Sequence, residues 1–168
     1  TVPTTVPTTV PTTVPTTVPT VVPTAPSSIP TQPTVPPTTQ PDNPSQDSSF
    51  AIHFIDVGQA DCTLLENQGR FMLIDGGNRE DSQLVVSYLE QQGVEELDVV
   101  VCTHAHEDHV GGLPAVLAVY PTAKVYSPTK TYSSNIYDDF MYYVDQQRLE
   151  VTLPVPGDSF NLGNAEVT

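Results

Sequence analysis

Proline recurs every fourth residue at the start of the chain, and this regularity limits where a folded domain can lie. Residues 1–24 are six tetrapeptides, five TVPT and a final VVPT, and a looser Thr/Pro/Ser/Gln stretch continues to Ser49. Proline fixes φ at about −65° and removes a backbone donor, which excludes helices and sheet ladders and favours extended polyproline II. We therefore predict a disordered, semi-rigid Thr/Pro-rich stalk or linker over residues 1–49 and a folded domain over residues 50–168.

The composition of this stalk also indicates a location. Thr/Pro-rich stalks are typical of exported, often O-glycosylated proteins, so we expect an extracellular or cell-surface protein. The chain begins at Thr1 rather than at a methionine. A secretion signal, and a cell-wall or membrane anchor, would then be encoded before it. A linker inside a larger chain explains the composition equally well.

The charge balance limits the partners of the domain. Twenty acidic and five basic side chains give a net charge of −15. Such a surface repels polyanions, so we expect no strong nonspecific binding of nucleic acid. Cys62 and Cys102 both lie in apolar segments. We expect two buried free thiols, although export would permit a disulfide between them.

From Phe50 onward, short apolar runs alternate with Gly, Asn and Asp. An opening β-meander followed by alternating strands and helices predicts an α/β (α+β) sheet with helices on it. The predicted strands are 50–55, 62–66, 71–74, 97–103, 124–126 and 149–153, and the predicted helices are 80–92, a short one near Pro114, and 135–147. The predicted inner faces carry Leu84, Val85, Tyr88 and Leu89 in the first helix, and Ile136, Phe140, Met141 and Val144 in the last.

The stretch THAHEDHVGG at residues 103–112 concentrates metal-binding side chains directly after a buried strand. Imidazole and carboxylate both suit Zn²⁺, and α/β sheets hold their sites at the carboxyl ends of strands. His104 and His106, two apart in an extended turn, can aim at one ion. Asp108 and His109, entering the next helical turn, can aim at a neighbouring ion. The pattern predicts a metal site rather than a solvated polar loop. By contrast, we interpret the isolated His53 as a packed side chain.

The pattern H-x-H-x-D-H resembles the signature of the metallo-β-lactamase-fold hydrolases. In addition, HFIDVGQADCTLLENQGRFMLIDGG at residues 53–77 resembles the opening of a branch related to the extracellular domain of competence-type DNA-uptake proteins. That branch reads D-V-G-Q-G-D, where this chain has Ala60 in place of the second glycine. The resemblance implies an αββα sandwich with its site at the sheet edge, of which residues 50–168 would be the N-terminal half.

The resemblance also implies roles for single residues. His104 and His106 would bind the first metal, and Asp108 and His109 the second, with Asp108 also orienting the catalytic nucleophile and helping to protonate the leaving group. In the family, later histidine and aspartate ligands complete both shells. This chain has no histidine after His109, so we expect it to hold metal weakly or incompletely.

Three further aspartates are candidates to support the ligands. Asp75, in LIDGG, matches the first-motif aspartate of the family, and would accept a hydrogen bond that orients a ligand histidine or the loop. A simple Asp-Gly turn is the alternative for Asp75. Asp56 and Asp61 would either brace the site in the same way or form a turn.

These features together predict a metal-dependent hydrolase, with one or two Zn²⁺ ions and iron or manganese as other options. Metal-bound hydroxide would attack a carbonyl or a phosphorus atom. The resemblance favours a phosphodiester or nucleic-acid ester, whereas the acidic surface favours a small-molecule ester. The first alternative is a cell-surface binding or scaffolding module with a structural or vestigial metal site. The second is a non-haem di-iron oxidoreductase of the same fold.

Overall fold

The computed structural model describes residues 49–168, so the predicted stalk and its location lie outside the described residues apart from Ser49. Six strands form one sheet whose spatial order follows the chain. The first three strands are antiparallel, and the third to the sixth are parallel. The strands are β1 (Phe50–Phe54), β2 (Thr63–Asn67), β3 (Arg70–Ile74), β4 (Leu97–Val101), β5 (Thr122–Tyr126) and β6 (Val151–Thr152).

The turn between β2 and β3 explains the start of the meander. Gln68 and Gly69 both have positive φ, 54° and 70°. Two successive left-handed residues are the geometry of a tight two-residue hairpin, and glycine adopts it without strain. This turn sets the register, in which Asn67 pairs with Arg70.

Helices connect the parallel strands. Each crossover advances by one strand in the same direction, and crossovers of one hand place their helices on the same face of the sheet. The helices are α1 (Ser82–Gln91), preceded by a 3₁₀ turn (Arg79–Asp81), α2 (Glu107–Val110), α3 (Leu113–Val119) and α4 (Asn135–Gln146). Among residues 49–168, no helix is both long and apolar enough to cross a membrane.

The main core lies between the helices and one face of the sheet. Alternate residues of the central strands, such as Leu73 and Val100, are fully buried there against α1, α3 and α4. Their neighbours Met72 and Val99 point to the opposite face. There they pack with Leu162 of a hairpin formed by two short strands, β7 (Phe160–Leu162) and β8 (Ala165–Val167).

The first strand has one exposed apolar face. Phe50, Ile52 and Phe54 are 47%, 50% and 83% exposed, because they alternate with residues that face the helices. His53 is one of the latter, and its Nδ1 lies 3.0 Å from the hydroxyl of Tyr88. The interpretation of His53 as a packed side chain is therefore confirmed.

The predicted α/β class and the order of elements are confirmed, with corrections at particular residues. Leu84 is 45% exposed, because it lies beside the buried stripe formed by Val85 and Leu89 rather than within it. In α4 the stripe is centred on Tyr137, Phe140 and Val144. The strand predicted for 149–153 is confined to two residues, Val151–Thr152.

The two cysteines are free and buried, as expected from their apolar surroundings. Burial, and secondarily the negative charge of Asp75, raise the pKa of Cys62 from 9.0 to about 12. The same two causes raise the pKa of Cys102 to about 12. Both thiols are therefore neutral at physiological pH and poor nucleophiles.

Candidate metal centre

Three of the predicted ligands converge where the chain leaves β4. Ligand atoms of His104, His106 and Asp108 all lie within 4.8 Å of one another. His106 has extended backbone (φ −76°, ψ 153°) and caps α2, so Asp108 falls in the first helical turn. The change from extended to helical backbone turns side chains two positions apart toward one point.

His109 lies against the same cluster. Its ring centroid is 3.8 Å from that of His104, and the ring centroid of His106 is 4.8 Å from that of His104. His109 is largely buried, with 13% of its side chain exposed, whereas His106 is exposed. The structure thus brings the four residues of the H-x-H-x-D-H pattern together. Their assignment as metal ligands stays a prediction.

The buried carboxylate of Asp75 orients the ring of His109. Asp75 is 2% exposed and follows the last residue of β3. Its Oδ2 lies 2.8 Å from Nδ1 of His109. Because a carboxylate only accepts hydrogen bonds, the proton of His109 must be on Nδ1, and Nε2 keeps a free lone pair. This tautomer is the one that can bind a metal through Nε2.

Thr103 extends this arrangement to His104. Its backbone N–H donates to Oδ1 of Asp75 at 2.7 Å, and its hydroxyl donates to Oδ2 at 2.5 Å. With its only hydrogen used, the hydroxyl oxygen can only accept from Nδ1 of His104, which is 3.2 Å away. Asp75 therefore sets the tautomers of both histidines, one directly and one through Thr103. It also explains why β4 ends at Val101 rather than at Thr103, since Asp75 holds the amide of Thr103.

The glycine pairs Gly76-Gly77 and Gly111-Gly112 allow Asp75 to approach His109. The N–H of Gly76 donates to the carbonyl of His109 at 2.7 Å, and that of Gly112 donates to the carbonyl of Gly77 at 3.2 Å. A Cβ on Gly76 would lie 2.7 Å from the amide nitrogen of Leu113, and a Cβ on Gly112 would collide with the carbonyl oxygen of Gly76. The loop after β3 and the loop after α2 therefore cross backbone against backbone.

Asp56 and Asp61, both in the loop between β1 and β2, make different contacts. Asp56 is exposed, and its Oδ1 accepts from the N–H of Gly58 at 3.2 Å, which is the turn alternative. Asp61 links α2 to the loop after β3 through its backbone, because its N–H donates to the carbonyl of Asp108 at 3.1 Å and its carbonyl accepts from Gly77 at 2.9 Å. Its carboxylate Oδ2 lies 3.6 Å from Nε2 of His109.

The charges around the cluster favour a cation. Among the ion pairs of residues 49–168, Asp61, Asp75 and Asp108 pair only with His109. Two arginines pair elsewhere, Arg79 with Asp139 and Arg70 with Glu96 and Asp98. Carboxylates gathered around imidazoles without lysine or arginine need a positive partner. Nitrogen and oxygen donors of these types fit a divalent transition ion such as zinc.

Comparison with known proteins identifies the fold family. Residues 55–166 match the sequence profile of the Metallo-beta-lactamase superfamily. The chain belongs to this superfamily. The superfamily resemblance noted in the sequence is therefore confirmed. Several of the relatives that this chain matches are named as hydrolases.

Two curated relatives and one solved structure illustrate the match. Hydroxyacylglutathione hydrolase of Serratia proteamaculans (strain 568) is 33% identical over 99 residues, which cover 56% of this chain and 38% of that protein. Recombination protein 2 of Haemophilus influenzae is 29% identical over 94 residues, covering 52% of this chain and 12% of that protein. The latter match fits the branch that residues 53–77 resemble.

The structural comparison supports the fold alone. The metallo-beta-lactamase SMB-1, in a complex with mercaptoacetic acid, aligns with a TM-score of 0.50 and 21% identity, over 68% of this chain and 48% of that one. This superfamily chain spans less than half the length of each of these three proteins.

Two residues that contact the candidate metal centre were not identified from the sequence. Thr103 stands within the quoted stretch, but its role as a bridge depends on Asp75, 28 residues earlier. Tyr132 lies edge-on to His106, with ring centroids 6.0 Å apart, and is 42% exposed. No local pattern around Tyr132 indicates this position, since it reaches the site from the loop between β5 and α4.

Proposed function

We propose that this chain provides the metal-binding half of a hydrolase that uses metal-activated water on an ester-type substrate. The observation that carries the proposal is the convergence of His104, His106 and Asp108 ligand atoms within 4.8 Å. The free Nε2 of His109, set by Asp75, supports it.

The residues of the candidate metal centre have different proposed roles. His104, His106 and His109 offer imidazole nitrogens, and Asp108 offers a carboxylate, to one or two divalent ions, with zinc as the first choice and iron or manganese as alternatives. An ion held by these residues would lower the pKa of a water molecule toward neutrality and so supply hydroxide. Asp108 would orient that water toward the substrate. Asp75 and Thr103 hold the imidazoles still, so that little reorganisation accompanies the reaction.

A small ester-type substrate is favoured over a long nucleic acid. The net charge of −15 works against a polyanion, and only five basic residues are available to contact phosphates. The name of the Serratia relative, hydroxyacylglutathione hydrolase, points to small acyl substrates. The match to Recombination protein 2 keeps a phosphodiester as the second candidate. We also propose an extracellular or cell-surface location, with an anchor encoded before Thr1. This proposal rests on the composition of the stalk.

Metal binding and hydrolysis test the proposal separately. The purified chain is dialysed, analysed for transition metals, and melted with and without zinc. We expect the chain to bind zinc and to gain Tm on its addition, and His106→Ala, which removes a ligand of one of the ions, to bind less zinc and gain less Tm than wild type. His53→Ala is the matched control, because it removes an imidazole outside the cluster. A chain without bound metal and without a zinc-dependent rise in Tm would contradict the proposal.

Activity then distinguishes the hydrolase from its alternative. Because residues 50–168 would supply only half of the domain, the assay uses the metal-loaded protein extended to the whole domain, offered a p-nitrophenyl ester, a thioester and bis(p-nitrophenyl) phosphate. We expect turnover of an acyl substrate that is absent in His106→Ala and present in His53→Ala. Tight metal binding by this longer form without turnover of any of the three would favour the binding or scaffolding module with a structural metal site.

A further inference from the structure

The second ring nitrogen of His109 faces two carboxylates. Its Nε2 lies 3.6 Å from Oδ2 of Asp61 and 3.7 Å from Oδ2 of Asp108. Because Nδ1 donates its proton to Asp75, Nε2 presents a lone pair. Nε2 therefore has two carboxylate oxygens nearby and no proton to donate to them, and no lysine or arginine pairs with these carboxylates in the part of the chain that the structure describes.

The distances suit ligands of one ion better than hydrogen bonds. An N–H···O bond joins its heavy atoms at about 2.9 Å, and at 3.6 Å it is negligible. Two donors that each lie about 2.0–2.2 Å from a tetrahedral ion are roughly 3.4 Å from each other. Both pairs at Nε2 are close to this second value. A cation between them would turn mutual repulsion of the three acceptors into attraction.

The position of Asp61 is fixed while its carboxylate is free to move. Its backbone N–H and carbonyl are bonded to Asp108 and Gly77, at 3.1 and 2.9 Å. Its side chain is 74% exposed, so the carboxylate can turn toward an ion without displacing buried atoms. Asp56, five residues earlier in the same loop, differs because its carboxylate accepts from the amide of Gly58.

We propose that Asp61 is a ligand of the ion held by Asp108 and His109, rather than a residue that only braces the loop. This inference rests on the proposed function, since it assumes a metal centre. The ligand is a divalent transition cation. With Asp61, residues 49–168 supply one nitrogen and two oxygen donors to that ion, while His104 and His106 serve the neighbouring ion.

The test compares metal binding by three forms of the full 168-residue chain. Wild type, Asp61→Asn and Asp56→Asn are stripped with chelator and titrated with Zn²⁺ by calorimetry. We expect two binding events in wild type and in Asp56→Asn. In Asp61→Asn we expect the weaker event to lose at least about tenfold in affinity, with the tighter event unchanged. The Asp56→Asn variant makes the same change of charge in the same loop.

The outcomes separate this inference from the proposed function. Two unchanged events in Asp61→Asn, or a single event in wild type, would overturn the role of Asp61 and leave the metal centre intact. No binding by wild type would overturn both. Thermal unfolding of the stripped variants checks the fold, which the asparagine should preserve because the backbone bonds remain. If Asp61→Asn is destabilised, Asp61→Glu restores a carboxylate, and it must bind the second ion more tightly than Asp61→Asn. Equal affinities of the two variants for the second ion would contradict the role of Asp61 as a ligand.

Discussion

Replacement of Asp75 by asparagine perturbs the centre at its buried support. The change preserves size, and asparagine tolerates the left-handed backbone found here, φ 58°. The carboxylate accepts three hydrogen bonds, at 2.7 and 2.5 Å from Thr103 and at 2.8 Å from His109. An asparagine offers one acceptor oxygen and one amide group. If the oxygen keeps the amide of Thr103, the new NH₂ faces the Thr103 hydroxyl and the Nδ1–H of His109.

Two responses of His109 are available, and both weaken the centre. If His109 keeps its proton on Nδ1, two donors meet in a buried position, which costs about 1–3 kcal/mol of folding free energy. If the proton moves to Nε2, the lone pair that faces Asp61 and Asp108 is lost. Removing a partner that orients a metal ligand typically reduces metal affinity by about 10–100-fold, or about 1.4–2.7 kcal/mol. We expect a loss of about 2 kcal/mol in the stripped protein and a fall in affinity within this range.

Urea unfolding of the stripped proteins measures the first effect, and calorimetric titration with Zn²⁺ measures the second. Asp56→Asn serves as the control, because it removes the same charge from an exposed turn, and it should change neither quantity by more than about 0.5 kcal/mol. Zinc affinity equal to wild type in Asp75→Asn would refute the argument that Asp75 sets the tautomer of His109.

Other perturbations follow from the same structure. In Gly112→Ala the new Cβ meets the carbonyl of Gly76, and because backbone cannot yield as a side chain does, we expect a loss of about 1–3 kcal/mol in urea unfolding; an unchanged midpoint would contradict the crossing of the two loops. Burial raises the pKa of Cys62 and Cys102 from 9.0 to about 12, so the unfolded thiols ionise first and the free energy of unfolding should fall as pH rises from 9 toward 12. The double alanine variant should lose this part of the pH dependence, and identical profiles would argue against it. Ser134→Ala removes the side chain that caps α4, at a cost of about 1 kcal/mol by thermal unfolding, whereas alanine at the adjacent serine should have little effect.

Much of the fold could be predicted from local pattern. Short apolar runs mark β1 to β5, and a glycine stop marks the end of α1, because such runs and turn chemistry are properties of neighbouring residues. The precise inner face of a helix was less certain. Leu84 was predicted on the inner face of α1 and is exposed, and Tyr137 of α4 is buried although it was not among the predicted inner residues. A neighbouring position lies about 100° around the helix, and only packing decides which side is covered.

The sequence by itself determined the donor set: one loop carries three imidazoles and a carboxylate, and its passage from extended strand to helical turn directs them to one place. Tertiary structure alone decided which residues hold that set. The parallel register of Ile74 with Val101 brings the ends of β3 and β4 together, and so places Asp75 under His109, 34 residues away in the chain. The same packing carries Asp61 to the other nitrogen of that ring. Spacing along a chain governs only near neighbours, whereas hydrogen bonds between distant loops depend on how strands pair.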